Sequence, residues 1–515
     1  MKSPEKYYIT TAISYPNGKP HMGHAYEVIA ADAIARFHRL DGRDVRFLTG
    51  TDEHGLKIAQ AARAAGIAPR AYVDTMVEAF QTLVERFEIS HDRFIRTTDS
   101  DHIEACQTLW RALAAAGDIY LDRYEGWYSV RDEAYYEPGE LVDADDAAGV
   151  QLKLSPQGTP VEWTVEESWF FRLSAYQERL LLWYDEHPDF IQPSSRFNEM
   201  RSFVAGGLKD LSISRTSFDW GVPVPDSPGH VMYVWIDALT NYLTGAGYPA
   251  AGYADTWPAD LHVIGKDVVR FHAVYWPAFL MAAGIELPVT VYGHGFILDR
   301  GEKMSKSRGN VVEPLALADT VGVDQLRWFF LRDVAFGEDG NYSEAAIIER
   351  TNADLANGIG NLAQRALSMI AKNCNGLVPD TGDPGEAEQN LVAAFAGLTL
   401  TYRSEMAGLR PHRALEALMA MVSLANVYFA DAAPWSLKAT DPVRMGLVLA
   451  TTAEAVRWIA LLALPVMPRA GNELLDQLAV RADSRTFAAL AKPLMAGTAL
   501  PPPTGVFPRW IPAAT

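Results

Sequence analysis

The pattern of hydrophobic and polar positions near the N-terminus changes from one period to another. Residues 7–13 form an apolar run rich in β-branched and aromatic residues, which predicts a strand. Val28, Ile29 and Ala33 then belong to a series of apolar residues at spacings of three and four, which predicts a helix that ends near Leu40. Turn residues separate the two segments. The start of the chain is therefore predicted to be a strand, a turn and a helix.

The rest of the chain continues this alternation and then becomes helical throughout. Residues 44–50 predict a second strand, residues 119–211 a set of short strands followed by a helix, and the apolar runs at 232–242 and 261–265 a return to the first sheet. Beyond residue 344 apolar positions recur at helical spacing. The order predicts an α/β fold with a doubly wound parallel sheet, followed by an all-α helix bundle.

Composition places the chain among ordinary globular proteins of several domains. It has 515 residues, of which 49% are hydrophobic and 21% charged. No segment is an uninterrupted apolar run of membrane length, and the N-terminus lacks the apolar run of a signal peptide, so we expect a cytoplasmic protein with no membrane partner. Cys106 and Cys374 are too few and too far apart to suggest a disulfide framework or a thiolate zinc site.

Charge is unevenly distributed along the chain. The formal net charge is −19, and residues 351–515 contribute none of it, because they hold equal numbers of basic and acidic side chains. An acidic surface repels nucleic-acid phosphates and leaves their binding to local basic patches. We therefore do not expect DNA as a partner, nor a general coat of RNA.

The turn after the first strand carries two histidines, His21 and His24, with Gly23 between them. A helix N-terminus presents unpaired N–H groups and a partial positive charge, so imidazoles placed there add donors to one phosphate. This arrangement predicts a nucleotide phosphate site. A histidine pair that caps the helix or binds a metal ion is the alternative.

A second stretch far downstream combines lysines and hydroxyls between glycines. Lys303, Ser305, Lys306 and Ser307 lie in this segment. Such a loop suits a transient grip on a leaving polyphosphate, since it can close during the reaction and open afterwards. A solvated basic loop is the alternative.

Polar residues also follow two of the expected strands. Asp52 comes directly after residues 44–50, and Asp267 follows residues 261–265. Ligands of open α/β sheets bind beyond the carboxyl ends of the strands, which is where these side chains fall. His272 lies one helical turn past Val268 and is a further candidate, although a core histidine bonded to the backbone fits the same position.

The two motifs together resemble the hallmark motifs of the class I aminoacyl-tRNA synthetases. The resemblance rests on His21-Met22-Gly23-His24, which departs from the usual motif only at Met22, and on Lys303-Met304-Ser305-Lys306-Ser307, which matches completely. Further runs resemble the methionyl-tRNA synthetase family along essentially the whole chain: residues 12–15, 51–55, 233–238, 265–272 and 361–365.

This resemblance implies an organisation in five segments. They are the first half of a catalytic Rossmann-type domain at 1–117, an inserted connective module of mixed β and α structure at 118–211, the second half of the catalytic domain at 212–296, the lysine loop with a stem-contact region at 297–350, and a helical anticodon-binding domain at 351–515.

The resemblance also implies the activity of an ATP-dependent ligase that forms methionyl-adenylate and then charges methionine tRNAs, both elongator and initiator. L-methionine, ATP and tRNA are the expected partners, with Mg²⁺ carried by the ATP phosphates. The residues implied by motif fall into four groups: catalytic His21, His24, Lys303 and Lys306; ATP-binding His21, Gly23, His24, Glu27, Asp267, Lys303 and Lys306; methionine-binding Ile13, Tyr15, Asp52, Trp235, Ala238, Tyr242, Val268 and His272; and anticodon-binding Asn361, Arg365, Pro434 and Trp435.

Three departures from the family pattern shape further expectations. Ser129 stands where the connective module of relatives has a zinc-knuckle cysteine, so we expect no structural zinc and a module folded by its aromatic residues. The Pro-rich residues 500–503 lie near the end of the chain, without the appended tRNA-binding module that dimerises some relatives, so a monomer is expected. Leu239 replaces a proline that the family often has in the pocket wall.

Three other functions fit parts of the sequence. Another class I synthetase would need either a large editing domain, where this chain has an insertion of about 90 residues, or, for cysteine, a metal thiolate site. A non-catalytic tRNA-binding paralogue is expected to have lost the motif histidines and lysines. A generic nucleotidyltransferase would share the histidine motif but not the helix bundle.

Overall fold

The structure is a computed structural model of the whole chain. It describes residues 5–131, 134–145, 151–304, 312–380 and 382–510.

The described chain alternates strands and helices up to Tyr342 and is helical afterwards. The strands are β1 Lys6–Thr11, β2 Asp44–Thr51, β3 Arg93–Arg96, β4 Ile119–Ser129, β5 Ala134–Tyr136, β6 Val142–Asp145, β7 Gln151–Leu154, β8 Pro160–Phe171, β9 Ile191–Gln192, β10 Leu211–Ser212, β11 Ser214–Arg215, β12 Val231–Met232, β13 Leu261–Gly265, β14 Val291–His294, β15 Ile297–Asp299, β16 Glu302–Lys303 and β17 Gly340–Tyr342. The helices are α1 Met22–Leu40, α2 Leu56–Ala65, α3 Pro69–Arg86, α4 Ser100–Ala116, α5 Gln177–Glu186, α6 Ser194–Ala205, α7 Val234–Ala246, α8 Trp276–Ala283, α9 Pro314–Val321, α10 Val323–Asp333, α11 Glu344–Arg350, α12 Asn361–Asn373, α13 Glu386–Ala407, α14 Pro411–Ala432, α15 Pro434–Leu437, α16 Pro442–Ala463 and α17 Pro468–Gln477.

The main sheet has six strands in the order β3-β2-β1-β13-β14-β9, and every neighbouring pair is parallel. Ile9 of the central strand β1 lies between Phe47 of β2 and Leu261 of β13. The strand order changes direction between β1 and β13, which opens a crevice beyond their carboxyl ends. This confirms the predicted doubly wound sheet.

Helix α1 connects the crevice to the rest of the molecule. Its buried face, which includes Ile29 and Phe37, belongs to one hydrophobic core that also contains Ile9 of the sheet and Tyr402 of the helix bundle. The helix ends where the Asp41 N–H bonds the Phe37 carbonyl, and the positive charge of Arg39 in the last turn interacts favourably with the negative end of the helix dipole. A single core therefore supports both the sheet and the bundle.

A second, antiparallel sheet forms most of the predicted connective module. Strands β4 and β8 pair along their length, with β5 beside β4 and with β7 and β6 beyond β8, while β10 pairs with β8. Aromatic residues face one another across it, as where the rings of Trp127 and Trp163 meet edge to face at 5.4 Å. Within 118–211, however, β9 pairs with β14 of the main sheet. The predicted domain boundaries stay a prediction.

The apolar run at 232–242 was expected to return to the sheet, and that prediction is wrong. Only β12 is a strand, and the remainder starts helix α7, most of which is buried. A helix buried on nearly all sides has no polar face, so its sequence shows neither the helical nor the strand period. The helix packs beside the crevice and carries three of the predicted pocket residues.

The C-terminal part is the predicted helix bundle. Helix α11 continues through a π-helical stretch, Thr351–Gly360, into α12, and α13 to α17 pack around them. Two segments, Pro411–Leu437 and Pro442–Ala463, are long and apolar enough to cross a membrane by composition alone, although the sequence analysis found no such run. Of the most apolar window in each, 50% and 83% is buried. Packing within the bundle accounts for that apolar character.

Candidate active site

The two histidines of the first motif cap helix α1. His21 is the N-cap residue, its Nδ1 accepts the Gly23 N–H at 3.1 Å, and the His21 N–H donates to Nδ1 of His24, also at 3.1 Å. The two rings stack with centroids 3.8 Å apart. Because Nδ1 accepts in both rings, the hydrogen-bond network assigns the proton of a neutral ring to Nε2, where it can be donated to a ligand. Capping and phosphate binding are thus compatible here.

Gly23 is required by this cap. A Cβ atom at that position would lie 3.0 Å from Cε1 and 3.1 Å from Nδ1 of His21. These distances are tighter than most Cβ contacts, so a side chain at position 23 would require the His21 ring to shift by a few tenths of an ångström. The resemblance implies that Gly23 contacts ATP, and the structure adds that its missing side chain leaves room for the imidazole of His21.

The loops after β1 and β2 bring three predicted methionine contacts together. Ser14 joins the two loops through its backbone. Its N–H donates to the Gly50 carbonyl and its carbonyl accepts the Asp52 N–H, each at 2.9 Å. Ile13 and Tyr15 flank Ser14, and the Tyr15 hydroxyl donates to the His54 carbonyl at 2.9 Å. These bonds fix the buried Asp52 beside Ile13 and Tyr15 at the carboxyl edge of the sheet.

An aromatic wall faces this edge from α7 and the segment after β13. The ring of Trp235 stacks on that of Phe271 with centroids 3.6 Å apart and planes 4° from parallel. Ala238 follows one turn later on α7. Ile13, Tyr15 and Trp235 all pack against one hydrophobic core. All three are partly buried against the same core, and their assignment to a methionine pocket stays a prediction.

His272 is held as a neutral ring within that region. Its Nδ1 donates to the Val268 carbonyl at 2.9 Å, and its Nε2 accepts the Tyr242 hydroxyl at 2.6 Å. Burial lowers the pKa of His272 to about 4. The backbone contact that the sequence analysis gave as the alternative is present, together with the side-chain contact expected of a pocket residue.

Glu27, which is partly buried, pairs with the buried His294 at the end of β14. Its Oε2 lies 2.9 Å from Nε2 of His294, whose Nδ1 lies 2.8 Å from the Gly295 carbonyl. Both ring nitrogens of His294 face acceptor oxygens. Besides the proton on Nδ1, a second proton is therefore held between Nε2 and the Glu27 carboxyl. Burial raises the pKa of Glu27, and the bond to Glu27 raises the pKa of His294 against the opposite effect of burial. Asp267 is close enough to add to both shifts.

The second motif is described only at its edge. Lys303 is in β16, and its backbone pairs with Leu298 of β15. The Lys303 side chain and the whole of Lys306 lie outside the described residues. Nζ of Lys19 lies 3.3 Å from Oε1 of Glu313. This contact connects the turn of the first motif to the segment that follows the second motif.

The four predicted anticodon contacts lie on two neighbouring elements of the bundle. The Arg365 guanidinium lies 4.9 Å from the ring centroid of Phe429 and 5.2 Å from that of Trp435. Asn361 is exposed one turn before Arg365 on α12, and Pro434 begins α15 directly before Trp435. Half of Trp435 is exposed to solvent, so its indole is open to a stacking partner.

A metal ion has one geometric candidate among the described residues. The ligand atoms of His102, Cys106 and Asp237 lie near one another and are fully buried. His102 Nε2 is 2.8 Å from Asp237 Oδ1, which is a hydrogen bond. Two such ligands on one tetrahedral zinc ion would be about 3.3 Å apart. The group is therefore a hydrogen-bond cluster.

In the connective module, three hydroxyls occupy the region of Ser129. Its Oγ lies 2.7 Å from Oγ1 of Thr159, which lies 2.8 Å from Oγ of Ser155. All three side chains are buried. The position expected of a knuckle cysteine thus belongs to a hydroxyl cluster in this chain.

Sequence reasoning missed His294, His54 and Asp237. His294 ends a strand beside β13, so its place at a strand end was a usable signal. His54 and Asp237 bond each other at 2.7 Å across 183 positions of sequence. No periodic pattern reports such a pair.

Comparison with known proteins covers nearly the whole chain. Residues 7–367 match the family model described as tRNA synthetases class I (M), and residues 378–511 match the anticodon binding domain of methionyl tRNA ligase. A methionine–tRNA ligase from Mesorhizobium japonicum is 58% identical over 513 residues, which are 99% of this chain and 98% of the relative.

Solved structures agree with these matches. A Mycobacterium tuberculosis methionyl-tRNA synthetase in complex with methionyl-adenylate superposes with a TM-score of 0.95 at 57% identity, covering 98% of this chain and all of the other. The apo form of the Mycobacterium tuberculosis enzyme superposes with a TM-score of 0.89 at 52% identity, covering 99% of this chain and all of the other.

Proposed function

This chain belongs to the methionyl-tRNA synthetases of class I, and we propose that its crevice activates methionine through the residues described above. It is an ATP-dependent ligase that forms methionyl-adenylate, releases pyrophosphate and charges tRNA. The observation that carries the assignment of residues is the neutral His272, held between Tyr242 and the Val268 carbonyl beside the Trp235 ring. A thioether is apolar and polarizable and favours such aromatic surroundings.

Each part of the site has one task in this proposal. Asp52 binds the α-ammonium of methionine, while Ile13, Tyr15, Trp235, Ala238, Tyr242, Val268 and His272 line its side-chain pocket. The methionine carboxylate then lies where it can attack the α-phosphorus of ATP in line. The protein contributes positioning and charge stabilisation rather than a covalent intermediate.

The phosphates bind at the start of α1. His21 and His24 donate from Nε2 beside the positive end of the helix dipole, and Gly23 keeps that end accessible. Lys303 and Lys306 neutralise the departing pyrophosphate, and Glu27 and Asp267 contact the nucleoside or amino-acid end. Mg²⁺ prefers oxygen ligands, and the histidines and lysines offer only nitrogen atoms. The ATP phosphates would therefore hold the ion, which would offset part of their negative charge.

In the second step the terminal ribose hydroxyl of tRNA attacks the acyl carbon of methionyl-adenylate, which forms the ester bond, breaks the bond to the phosphate and releases AMP. Asn361, Arg365, Pro434 and Trp435 read the anticodon of elongator and initiator methionine tRNAs, with the Trp435 indole stacking on an unpaired base. The enzyme works in the cytoplasm as a monomer, without structural zinc.

Exchange between ATP and pyrophosphate, measured with each of the twenty amino acids, tests the first step. We expect exchange with methionine alone, and its loss in Lys306→Ala. Exchange with another amino acid would overturn the specificity. No exchange with any would favour a non-catalytic tRNA-binding protein.

The tRNA contact is tested separately with Trp435→Ala. A lost stacking contact costs about 1–3 kcal/mol, so KM for tRNA should rise roughly fivefold to a hundredfold while exchange is unchanged. Leu400→Ala, at another exposed apolar position of the bundle, is the control. An equal effect of both substitutions on tRNA charging would contradict the assignment.

A further inference from the structure

Beside the proposed pocket lies a buried cluster centred on Asp237, in the first turn of α7. Its Oδ2 is 2.7 Å from Nδ1 of His54, and its Oδ1 is 2.8 Å from Nε2 of His102. The thiol of Cys106 lies 3.3 Å from the same His102 nitrogen. None of these side chains is among the proposed substrate contacts.

The surroundings of Asp237 stabilise a charged carboxylate. Burial alone would raise its pKa, but the charge of His54 and the hydrogen bonds from both imidazoles lower the pKa to about 2. The positive end of the α7 dipole acts in the same direction. The carboxylate is therefore a fixed acceptor for two ring N–H groups.

The His54 contact leads directly to the loop that carries Asp52. That loop is held by its backbone: the His54 carbonyl accepts the Tyr15 hydroxyl, and the Glu53 carbonyl accepts Nε1 of Trp220 at 2.7 Å. A side-chain bond from His54 to Asp237 joins this loop to α7. A shift at His54 would thus move Asp52 relative to the helix.

The His102 contact serves a different purpose. His102 is on α4, and its Nδ1 lies 3.0 Å from Oγ1 of Thr244, two turns further along α7 than Asp237. It therefore fixes α7 against α4 at two points. It makes no described contact with the loop of Asp52.

Helix α7 carries the apolar side of the pocket immediately beside Asp237. Trp235 precedes it by two residues and Ala238 follows it. We propose that Asp237 is a positioning residue that sets the distance between the ammonium site at Asp52 and the side-chain wall on α7, acting through His54. The proposal rests on the methionine pocket assigned above.

The test is Asp237→Asn, assayed by exchange with varied methionine and varied ATP. Asparagine is uncharged and its amide group faces one of the two ring N–H groups, so one contact is lost and the other is no longer a hydrogen bond to a charged group; the His54 contact is weakened in either orientation. Losing a hydrogen bond to a charged group should raise KM for methionine roughly tenfold to a hundredfold. We expect KM for ATP to stay within about twofold, because the contacts at α1 are unchanged.

Asp324→Asn is the matched control, since Asp324 is also a buried aspartate in the first turn of a helix, α10, and bonds the backbone of α17 instead. It should leave both KM values unchanged. Equal changes in KM for methionine and ATP in Asp237→Asn, or an unchanged KM for methionine, would overturn the proposal.

His54→Gln tests the Asp237–His54 contact separately from the Asp237–His102 contact. It also replaces Asp237→Asn as the test if that variant folds poorly. It should raise KM for methionine as Asp237→Asn does, and the double variant should show no further rise, because both remove one connection. His102→Gln should have the smaller effect. Additive effects, or a larger effect of His102→Gln, would contradict a role through His54. A wild type that shows no exchange with methionine would overturn the proposed function as well, whereas wild-type exchange with unaltered variants would overturn this inference alone.

Discussion

Two regions of the molecule bury ionisable side chains with different partners. At the junction between α1, α10 and α17, the fully buried Arg327 donates to Asp32 at 2.6 Å and to the Val466 carbonyl at 2.7 Å. At the amino-acid end of the crevice, His272 and Tyr242 bond each other as neutral groups. A guanidinium keeps its charge at any pH a protein tolerates, whereas burial keeps the His272 ring neutral at pH 7. The contacts of Arg327 at the junction are therefore made by a permanent charge, whereas the contact between His272 and Tyr242 in the crevice is made by uncharged groups.

The two regions also respond to acid in opposite directions. Burial lowers the pKa of His272 to about 4, so acid must charge a ring that the fold keeps neutral. At the junction, burial raises the pKa of Asp324 to about 6, against the effects of the Ala470 N–H and of Arg327. Acid neutralises that carboxyl in place. Acidification should therefore weaken the crevice and strengthen the junction.

The largest effect is expected from Arg327→Met. It leaves Asp32 with less compensating charge and leaves the carbonyls of Phe87, Pro465 and Val466 without this donor. Breaking a buried pair in this way should lower the free energy of unfolding by about 3–5 kcal/mol, measured by urea denaturation. Arg36→Met, at the partly exposed second partner of Asp32, should cost less. An equal cost for both would remove the distinction that we draw for the junction.

A smaller effect is expected from His272→Gln on the pH dependence of stability. Between about pH 6.5 and 4 the unfolded chain binds a proton at this histidine and the folded chain does not, so wild-type stability is lost as pH falls through that window. The contribution is up to about 3 kcal/mol, and the variant should lack it. Urea midpoints at pH 7 and pH 4.5 measure the difference. Parallel pH profiles would contradict the neutral ring.

Asp324→Asn should show the reverse. The folded pKa is raised, so the stabilisation from the protonated carboxyl is complete below about pH 4 and is lost as pH rises through about 6. At pH 7 the variant should be more stable than wild type by up to about 3 kcal/mol, and at pH 4 the two should be nearly equal. A variant that is less stable at pH 7 would show that the charged form is the stabilising one.

The smallest effect is expected from Tyr242→Phe. It removes the hydroxyl that His272 accepts, and one hydrogen bond of this kind contributes about 1 kcal/mol, so KM for methionine should rise roughly fivefold. Tyr8→Phe is the control, because the buried Tyr8 hydroxyl donates to the backbone carbonyl of Tyr242 and not to His272. If both substitutions change KM for methionine equally, the effect belongs to packing rather than to the His272 contact.

Much of the fold could be predicted because its elements leave local patterns. Strand β1, helix α1 and strand β13 each show their own period, and the motif at His21 marks the turn between the first two. Helix α7 could not be recognised, since burial on nearly all sides removes the contrast that defines a period.

The site divides in the same way. Residues such as Asp52 and His21 follow a strand or begin a helix, so their positions were visible in the sequence. The partners that hold the site together were not visible, because the Asp237–His54 and Glu27–His294 pairs join segments 183 and 267 positions apart. Such pairings follow from the packing of whole elements, and of these residues only His294 left a local signal, through its place at a strand end.

The hydroxyl cluster of the connective module has a consequence for how this enzyme matures. Ser129, Ser155 and Thr159 hold their turn by sharing hydrogen bonds among uncharged groups. A thiolate knuckle must acquire a metal ion before it is complete and is open to oxidation, whereas hydroxyls are complete as soon as the strands meet. This part of the module is therefore expected to assemble at the same rate in metal-poor and in oxidising surroundings.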